Sequence, residues 1–241
     1  MSIVDQLMVL LDDQDELEIN EIKKSMHGKS KQVISSSLGR LCSRGWVKKR
    51  HKKSKTFYGI SSEGREEITK NLDRIRQFEK SNWDGSFLTV LFNIPEKMRK
   101  SRDVFRNELT ELGFAKLQGD LWITFWDKRE VVEKTISKLK IDSHTSIIRI
   151  PKLSSSDLEE LLKGLDWDET ELNNRYKEFI SVGQKFIKTK KYGFPARCLV
   201  YEYSKILAND PIFPKEFRPK NYLGKKAYDL YSKIRPHCYK Y

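Results

Sequence analysis

Positive charge is concentrated between residues 23 and 58 of this 241-residue chain. The segment contains no aspartate or glutamate, and its twelve basic side chains nearly equal the formal net charge of the whole protein, +13. These side chains are Lys23, Lys24, Lys29, Lys31, Arg40, Arg44, Lys48, Lys49, Arg50, Lys52, Lys53 and Lys55. A charge run is usually a solvated surface, but a field this concentrated is also typical of proteins that bind a polyanion. Here the charges lie on a recognisable pattern of helix, helix and hairpin, which favours polyanion binding over a solvated surface.

The polar residues of this segment have the spacing of one helical face. A helix capped by Ser30 and extending to about Arg44 would bury a largely apolar stripe. That stripe is Val33, Ile34, Ser37, Leu38 and Leu41. The residues predicted to face outward are Lys31, Gln32, Ser35, Ser36 and Arg40. Side chains of these types contact base edges and phosphates when a helix lies in the major groove of DNA.

Two shorter helices are predicted before this one. Residues 3–12 place Ile3, Leu7, Leu10 and Leu11 on one face, which is the pattern of a packed amphipathic helix. A second helix is predicted from about Ile19 to Met26, and Gly28 ends it in a tight turn. The three helices in this order predict a helix-turn-helix.

A basic hairpin is predicted after the third helix. Two strands, 46–50 and 56–60, are joined by the tip 51–55, and together they resemble the wing of a winged helix-turn-helix. We therefore predict a DNA-binding domain at 1–62. Its predicted DNA-binding residues are Lys29, Ser30, Lys31, Gln32, Ser35, Ser36, Arg40, Lys48, Lys49, Arg50, Lys52, Lys53 and Lys55.

Residues 63–82 predict a polar linker helix. Its apolar residues, Ile68, Leu72, Ile75 and Phe78, form a single seam. Such a helix either separates two domains or pairs with its copy across a dimer, and the pattern fits both arrangements.

A βαββαβ pattern occupies 83–152. The near-continuous apolar run 87–94 predicts a strand buried on both faces. A helix ending at Gly113, a hairpin around Gly119 and Asp120, a second helix and a last strand complete the pattern. This order predicts a ferredoxin-like domain, which we expect to form the contact of a homodimer.

Helical periodicity continues through 153–241, where we predict a C-terminal all-helical domain. The predicted helices lie near 158–165, 172–187, 196–207 and 223–234. The complete fold prediction is therefore α+β, with a winged helix-turn-helix, a ferredoxin-like domain and a helical domain in chain order.

Cations and an aromatic ring occur close together in the sequence between two of the predicted C-terminal helices. They are Lys185, Lys188, Tyr192 and Arg197. This combination fits an anionic effector such as an acyl-coenzyme A thioester or a nucleotide. An exposed corner between helices has the same composition, and the scarcity of ligand pockets in proteins favours the corner.

The remaining residue types argue against several other functions. Cys42, Cys198 and Cys238 are odd in number and far apart, which predicts free thiols rather than disulfides or a metal site. The sequence has no glycine-rich phosphate loop and no apolar run of the ~20 residues that a membrane span requires. We expect a cytoplasmic protein that contacts no membrane, uses no cofactor and is not an enzyme.

Three motifs, in chain order, resemble the PaaX family of bacterial repressors, named for the control of phenylacetate degradation. The first is the segment 30–41, followed by Arg44-Gly45-Trp46. The second is Trp83-Asp84-Gly85, followed by 91–96, 112–114 and 117–123. The third begins at Asp210-Pro211 and continues through 213–214 and 217–219 to Leu230-Tyr231. Together they extend over nearly the full chain.

The resemblance implies a dimeric repressor with the three domains predicted above. The best-known members bind palindromic promoter DNA and leave it when an aryl-coenzyme A thioester binds. Double-stranded DNA and a small-molecule effector are therefore the implied partners. Ser35 lies where the family often has arginine, and Tyr222 and Leu223 replace the usual tryptophan and proline. These departures imply a different operator and a different effector.

The middle domain also resembles the small nucleases of CRISPR adaptation. Those enzymes hold a divalent cation with an aspartate at the end of the first strand, where this chain has Asn93. An amide is a poorer ligand for magnesium than a carboxylate, although Glu96, Asp120 and Asp127 are nearby acids. We predict a sequence-specific transcriptional regulator. A metal-dependent nuclease, or a non-specific nucleic-acid-binding protein related to CRISPR adaptation, is the alternative.

Overall fold

The structure, a computed structural model, describes residues 1–14, 16–79, 83–151, 160–161, 163–165, 168–189, 191–214, 217–218 and 220–239. It is mixed α+β, with two antiparallel sheets and a helical C-terminal region. The described residues form two compact units, and neither is continuous in sequence. The first unit draws on 1–76, 176–205 and 223–241, and the second on 77–175 and 206–222.

The described helices agree closely with the predicted ones. They are α1 (Ile3–Asp12), α2 (Ile19–Ser25), α3 (Lys31–Ser43), α4 (Ser62–Glu79), α5 (Arg99–Glu111), α6 (Arg129–Leu139), α7 (Glu169–Lys188), α8 (Phe194–Leu207) and α9 (Gly224–Ile234). The strands are β1 (Leu17–Glu18), β2 (Val47–Lys52), β3 (Lys55–Ile60), β4 (Phe87–Phe92), β5 (Ala115–Gln118), β6 (Leu121–Thr124) and β7 (Thr145–Ile150). Leu158 and Leu162, from the helix predicted near 158–165, lie outside the described residues.

The first unit contains a three-stranded antiparallel sheet with the strand order β1-β3-β2. Helices α1, α2 and α3 supply its core, because Leu11, Ile22 and Leu38 are each fully buried in one cluster that also contains Val47 of β2. The sequence pattern did not indicate β1, since a strand of two residues is too short to show an alternation of polar and apolar side chains.

Helix α4 begins against this core. Ile68 is buried in the same cluster and Leu72 packs against it. Immediately before α4, the Ser61 hydroxyl donates to the Gly45 carbonyl oxygen (2.6 Å) and accepts from the Gly64 backbone N–H (3.0 Å). The first turns of the predicted linker helix are therefore packed into the first unit.

The second unit contains a four-stranded antiparallel sheet with the strand order β5-β6-β4-β7. Helices α5 and α6 cover one face, where Val90, Phe105 and Val132 are fully buried in a shared cluster. The prediction that the first strand is buried on both faces was wrong at Leu91, which is 47% exposed. Leu91 lies on the opposite face, at an end that the described helices leave uncovered.

Aromatic side chains cover the other end of that face. Phe125 lies at the centre, with ring centroids 5.3 Å from Phe87 and 5.2 Å from Phe213. Trp83 packs edge-on against Phe87 at 5.3 Å and against Phe217 at 4.9 Å. The segment around Asp210 is thereby fixed to the sheet of the second unit.

Helix α8 packs between the N-terminal helices and the other C-terminal helices of the first unit. Tyr201 is buried in the cluster of α1 and α3, where its hydroxyl lies 3.3 Å from the amide nitrogen of Asn71. Tyr203 stacks on Tyr231 of α9 at 5.0 Å. Both ends of the chain consequently contribute to one core.

Candidate nucleic-acid interface

The local sequence fixes where α3 begins. Gly28 has a φ of +77°, which suits glycine and ends the approach from α2. Ser30 is the N-cap, and its side-chain oxygen accepts a hydrogen bond from the Val33 backbone N–H at 3.2 Å. This bond satisfies one of the free donors of the first helical turn. The predicted cap of α3 is confirmed.

One face of α3 is buried and the opposite face is exposed. Ile34, Ser37, Leu38 and Leu41 form the buried face. The predicted stripe was wrong at Val33, which is 41% exposed, because the buried face is centred on Ile34, Leu38 and Leu41 and Val33 lies to its side. The five residues predicted to face outward are exposed: Lys31, Gln32, Ser35, Ser36 and Arg40.

The exposed hydroxyls of α3 differ in their local bonding. The Ser36 hydroxyl donates to the Val33 carbonyl oxygen at 3.1 Å, so it is engaged within the helix. Gln32 and Ser35 make no side-chain hydrogen bond within the described part of the chain. Their polar groups are therefore available to an external partner along the solvent face of α3.

Strands β2 and β3 form the basic hairpin, residues 47–60. The turn is two residues, Lys53 and Ser54, and is shorter than the predicted tip because both strands extend further toward it. Lys53 has a φ of +53°, as two-residue hairpin turns often require. Every residue of β2 after Val47 is exposed.

The strand register assigns the basic side chains of the hairpin to two faces. Lys49 is opposite Tyr58, whose side chain is buried, so Lys49 shares the face that adjoins α3. The outer face carries the alternate residues, including Arg50 opposite Phe57 and Lys52 opposite Lys55. The predicted phosphate-binding residues are thus distributed over both faces.

Two hairpin lysines are paired with carboxylates of the β1 segment. The Lys55 ammonium donates to Glu18 at 2.8 Å, and the Lys52 ammonium contacts Glu16. The hydrogen bond from Lys55 holds the pKa of Glu18 below its ordinary value, and the same bond raises the pKa of Lys55. These acids were not predicted as part of the interface, because they lie just outside the basic segment.

Cys42 is half-buried on α3. Burial raises the pKa of its thiol, although Lys49 acts in the opposite direction. This direction of shift is the opposite of the lowered thiol pKa that a redox-sensing cysteine requires. All three cysteines are free thiols, as predicted.

The four residues predicted for effector binding have different environments. Arg197 forms an ion pair with Asp13, and Tyr192 stacks on the His237 ring at 4.9 Å. Lys185 and Lys188 are exposed on α7. Arg197 and Tyr192 are therefore already engaged within the first unit.

Lys188 lines a cavity of about 640 Å³ between α7 and α9. Gly183 allows the two helices to approach closely there, because a Cβ at this position would lie 2.7 Å from the Leu230 side chain. Ile180, Ile187 and Leu230 contribute apolar surface. The polar residues that line the cavity are Gln184, Lys188, Lys226, Asp229 and Lys233. Two of these lysines, Lys226 and Lys233, come from α9 and were missed, because the sequence offers no signal for contacts between distant helices.

The acids named above as neighbours of Asn93 in the nuclease comparison are engaged by arginines. Glu96 accepts from Arg102 at 2.8 Å, Asp120 from Arg106 at 2.5 Å, and Asp127 lies 3.6 Å from Arg149. Asn93 follows β4, and its backbone N–H donates to the His144 carbonyl oxygen at 2.9 Å. Among the described residues, no group of three or more His, Cys, Asp or Glu side chains could hold a metal ion.

None of the helices in the described ranges has both the length and the apolar character needed to cross a bilayer.

Comparison with known families shows that the chain belongs to the PaaX family. Residues 80–162 match the family model described as the PaaX protein central Cas2-like domain, and 167–240 match the PaaX-like protein C-terminal domain. A relative from Escherichia coli (strain K12), named transcriptional repressor PaaX, is 24% identical over 226 residues, which cover 87% of this chain and 71% of that protein. The resemblance inferred from the three motifs is confirmed.

A solved structure has a similar fold. It is the uncharacterized protein Rv0674 from Mycobacterium tuberculosis, with a TM-score of 0.52 and 14% sequence identity. The match covers 87% of this chain and 82% of that one. At this identity the likeness concerns the fold alone.

Proposed function

We propose that this protein is a sequence-specific DNA-binding transcriptional regulator that acts as a homodimeric repressor. The observation that carries the proposal is the exposed polar face of α3 beside the basic hairpin, in a segment without acidic residues. Membership of the PaaX family and the repressor name of the Escherichia coli relative support it. An interface of this charge supplies the phosphate attraction that DNA binding requires.

The proposed domain types follow the observed element order. Residues 1–62 are a winged helix-turn-helix, supported by three helices followed by a two-stranded hairpin. Residues 83–152 are a ferredoxin-like domain, supported by the βαββαβ order and the strand order β5-β6-β4-β7. Residues 63–82 connect them, and 153–241 supply the helical C-terminal region, whose segments belong to both compact units.

Within the interface we assign base contacts to α3 and phosphate contacts to the hairpin. Lys31, Gln32, Ser35 and Ser36 face outward along the helix that enters the major groove. Arg40 and the hairpin cations contact phosphates, and Lys29 and Ser30 lie at the helix N-terminus, which favours anions. The cations of the hairpin are Lys48, Lys49, Arg50, Lys52, Lys53 and Lys55.

The second unit provides the dimer contact in this proposal. Leu91 and Ile148 are 47% and 49% exposed, and the strand register places them on the same face of the sheet. Exposed apolar side chains on a shared face are typical of protein contacts. A dimer of this kind binds two half-sites about one helical turn apart, which is why the operator is expected to be palindromic.

We assign effector binding to the cavity between α7 and α9. Its three lysines and apolar surface fit an anionic ligand with an apolar group, such as the acyl- or aryl-coenzyme A thioesters of the family. Lys185 and Lys188 remain exposed to such a ligand, whereas Arg197 and Tyr192 would first have to leave Asp13 and His237. The ligand releases DNA only if it binds the DNA-free arrangement more tightly.

The function is tested by binding to DNA from upstream of the protein's own gene, with excess random duplex and with magnesium present. A discrete, uncut complex that persists against the random duplex is the expected result, because a specific regulator discriminates by a factor of roughly 10³ or more. Equal loss to the random duplex would indicate a non-specific binding protein. Shortened DNA would indicate the nuclease instead.

A further inference from the structure

Strand β1 brings acidic side chains to the basic hairpin. It pairs with β3 in antiparallel register, with Leu17 opposite Tyr58 and Glu18 opposite Phe57. Residues opposite each other share a face of the sheet, so Glu18 lies on the same face as Phe57 and Lys55. The outer face of the hairpin therefore carries carboxylate as well as ammonium groups.

Glu18 is fixed by several hydrogen bonds. Its carboxylate accepts from the Lys55 ammonium at 2.8 Å and from the Asn20 side chain at 2.9 Å. At the start of α2, the Glu18 backbone N–H also donates to the Glu21 carboxylate at 2.8 Å. Glu18 is only 14% exposed at its side chain, against 60% for Lys55. A carboxylate held in this way is an ordered partner for the lysine.

Glu16 makes the corresponding contact near the turn. Its carboxylate pairs with the Lys52 ammonium, which also lies 5.2 Å from the centroid of the Phe57 ring. Lys52 and Lys55 are direct neighbours across the two strands. The two carboxylates thus engage the pair of lysines that flank the turn, whereas Arg50 and Lys53 form no ion pair within the described residues.

We propose that Glu16 and Glu18 compete with DNA phosphates for Lys52 and Lys55, and so lower the affinity of the hairpin for any duplex. A carboxylate occupies the position that a phosphate oxygen would take on each ammonium group. A lysine that stays with its glutamate neutralises no phosphate and releases no counterion from DNA. Phosphate contact by the hairpin then rests mainly on Lys48, Lys49, Arg50 and Lys53, and Lys52 and Lys55 contact phosphates only when they leave their glutamates. This inference rests on the proposed DNA-binding function.

The effect concerns selectivity as well as affinity. Phosphate contacts carry no sequence information, and competing genomic sites number about 10⁶–10⁹. Internal competition at two lysines reduces retention at those sites and leaves the readout by α3 intact. Glu16 and Glu18 are therefore positioning residues that touch the lysines and not the bases.

The test measures binding of the Glu16→Gln/Glu18→Gln variant to a random 30-base-pair duplex across a range of salt concentrations. Each lysine released to a phosphate steepens the plot of log K against log salt by about 0.9. For one such step, the ratio of the variant's binding constant to that of the wild type is roughly eight times larger at 0.1 M salt than at 1 M salt. We expect the double variant to gain about twice that slope.

The control is Asp73→Asn, which removes one carboxylate of the first unit away from the hairpin and breaks its 2.8 Å pair with Arg76 on α4. This control should change the slope little. A double variant that behaves like Asp73→Asn, or that binds more weakly than the wild type, would overturn the inference.

A second comparison guards against an altered fold. Lys52→Met/Lys55→Met should weaken the wild type little, because these lysines are already paired, but should abolish the gain in the Glu16→Gln/Glu18→Gln background. Equal loss in both backgrounds would also overturn the inference. If the wild type binds DNA and Arg50→Ala weakens it, the proposed function stands whatever the glutamate variants do. If the wild type binds no duplex at all, both the proposed function and the competition by Glu16 and Glu18 are contradicted.

Discussion

At the scale of single residues, Lys128 at the start of α6 is a lysine whose surroundings disfavour its charge. Burial alone lowers the pKa of its ammonium group from 10.5 to about 8, so the charged form is destabilised in the folded protein. The group is charged at neutral pH and pays this desolvation cost. It contributes nothing to the proposed interface, so its effect can be measured on stability alone.

We predict that Lys128→Met stabilises the protein below pH 8 by roughly 2 kcal/mol, seen as a higher Tm in thermal unfolding. The folded pKa is lower than the unfolded one, so the unfolded wild type binds more protons between pH 8 and 10.5. The stability of the wild type should therefore rise relative to the variant across that range, and the difference should vanish above it. A difference that does not depend on pH would contradict this account.

Residue roles near α3 were predictable where they depend on local sequence. The Ser30 cap and the turn at Gly28 are local features, and both were predicted. Val33 and the pairing of Glu18 with Lys55 depend on which elements pack together, so periodicity alone could not supply them. For the residues of the site, solvent exposure was easier to predict than the contacts and ion pairs that each side chain makes.

At the scale of elements, the start of α4 is fixed against the hairpin by a glycine. A Cβ at Gly64 would lie 2.3 Å from the Trp46 carbonyl oxygen and 2.8 Å from the Ile60 side chain. The Trp46 carbonyl oxygen belongs to the backbone, so it cannot move aside as the end of a flexible side chain can. The first turn of the helix predicted as a linker is therefore packed closely against the hairpin. This contact depends on tertiary packing, and the apolar seam of the helix does not indicate it.

We predict that Gly64→Ala destabilises the protein by about 1–3 kcal/mol, even though alanine is the better helix former. Gly39→Ala in α3 is the matched control, because a Cβ there meets no atom within 4 Å. The control should stabilise by about 0.5–1 kcal/mol. Chemical denaturation measures both values, and a stabilising Gly64→Ala would show that α4 is not docked as described.

At the scale of the whole molecule, the two compact units combine segments that are distant in sequence. The helices and the strands β2 to β7 followed from periodicity, as the bounds of α1 illustrate, whereas the two-residue strand β1 did not. The placement of Tyr201 in the core of the N-terminal helices did not, because a buried tyrosine on a helix does not reveal its partner. The contacts between elements that are distant in the chain are the part of the fold that could not be predicted from this sequence.

We predict that the protein is a dimer and that Ile148→Glu makes it a monomer in sedimentation experiments. A charge at the centre of a buried apolar contact costs several kcal/mol, whereas the same change in the monomer is exposed and mild. Val104→Glu is the matched control in the same unit, since Val104 is 47% exposed but lies on α5. A monomeric wild type, or an Ile148→Glu dimer, would contradict the proposed surface.

The most direct test of the interface compares Gln32→Ala with Arg50→Ala, each on the upstream DNA and on random duplex, over a range of salt. The account predicts that Gln32→Ala loses about 1–3 kcal/mol on the upstream DNA only, with the salt slope unchanged. Arg50→Ala should weaken both DNAs alike and reduce the slope by about 0.9. If both variants weaken both DNAs equally, or if neither has any effect, then α3 does not read bases beside a phosphate-binding hairpin.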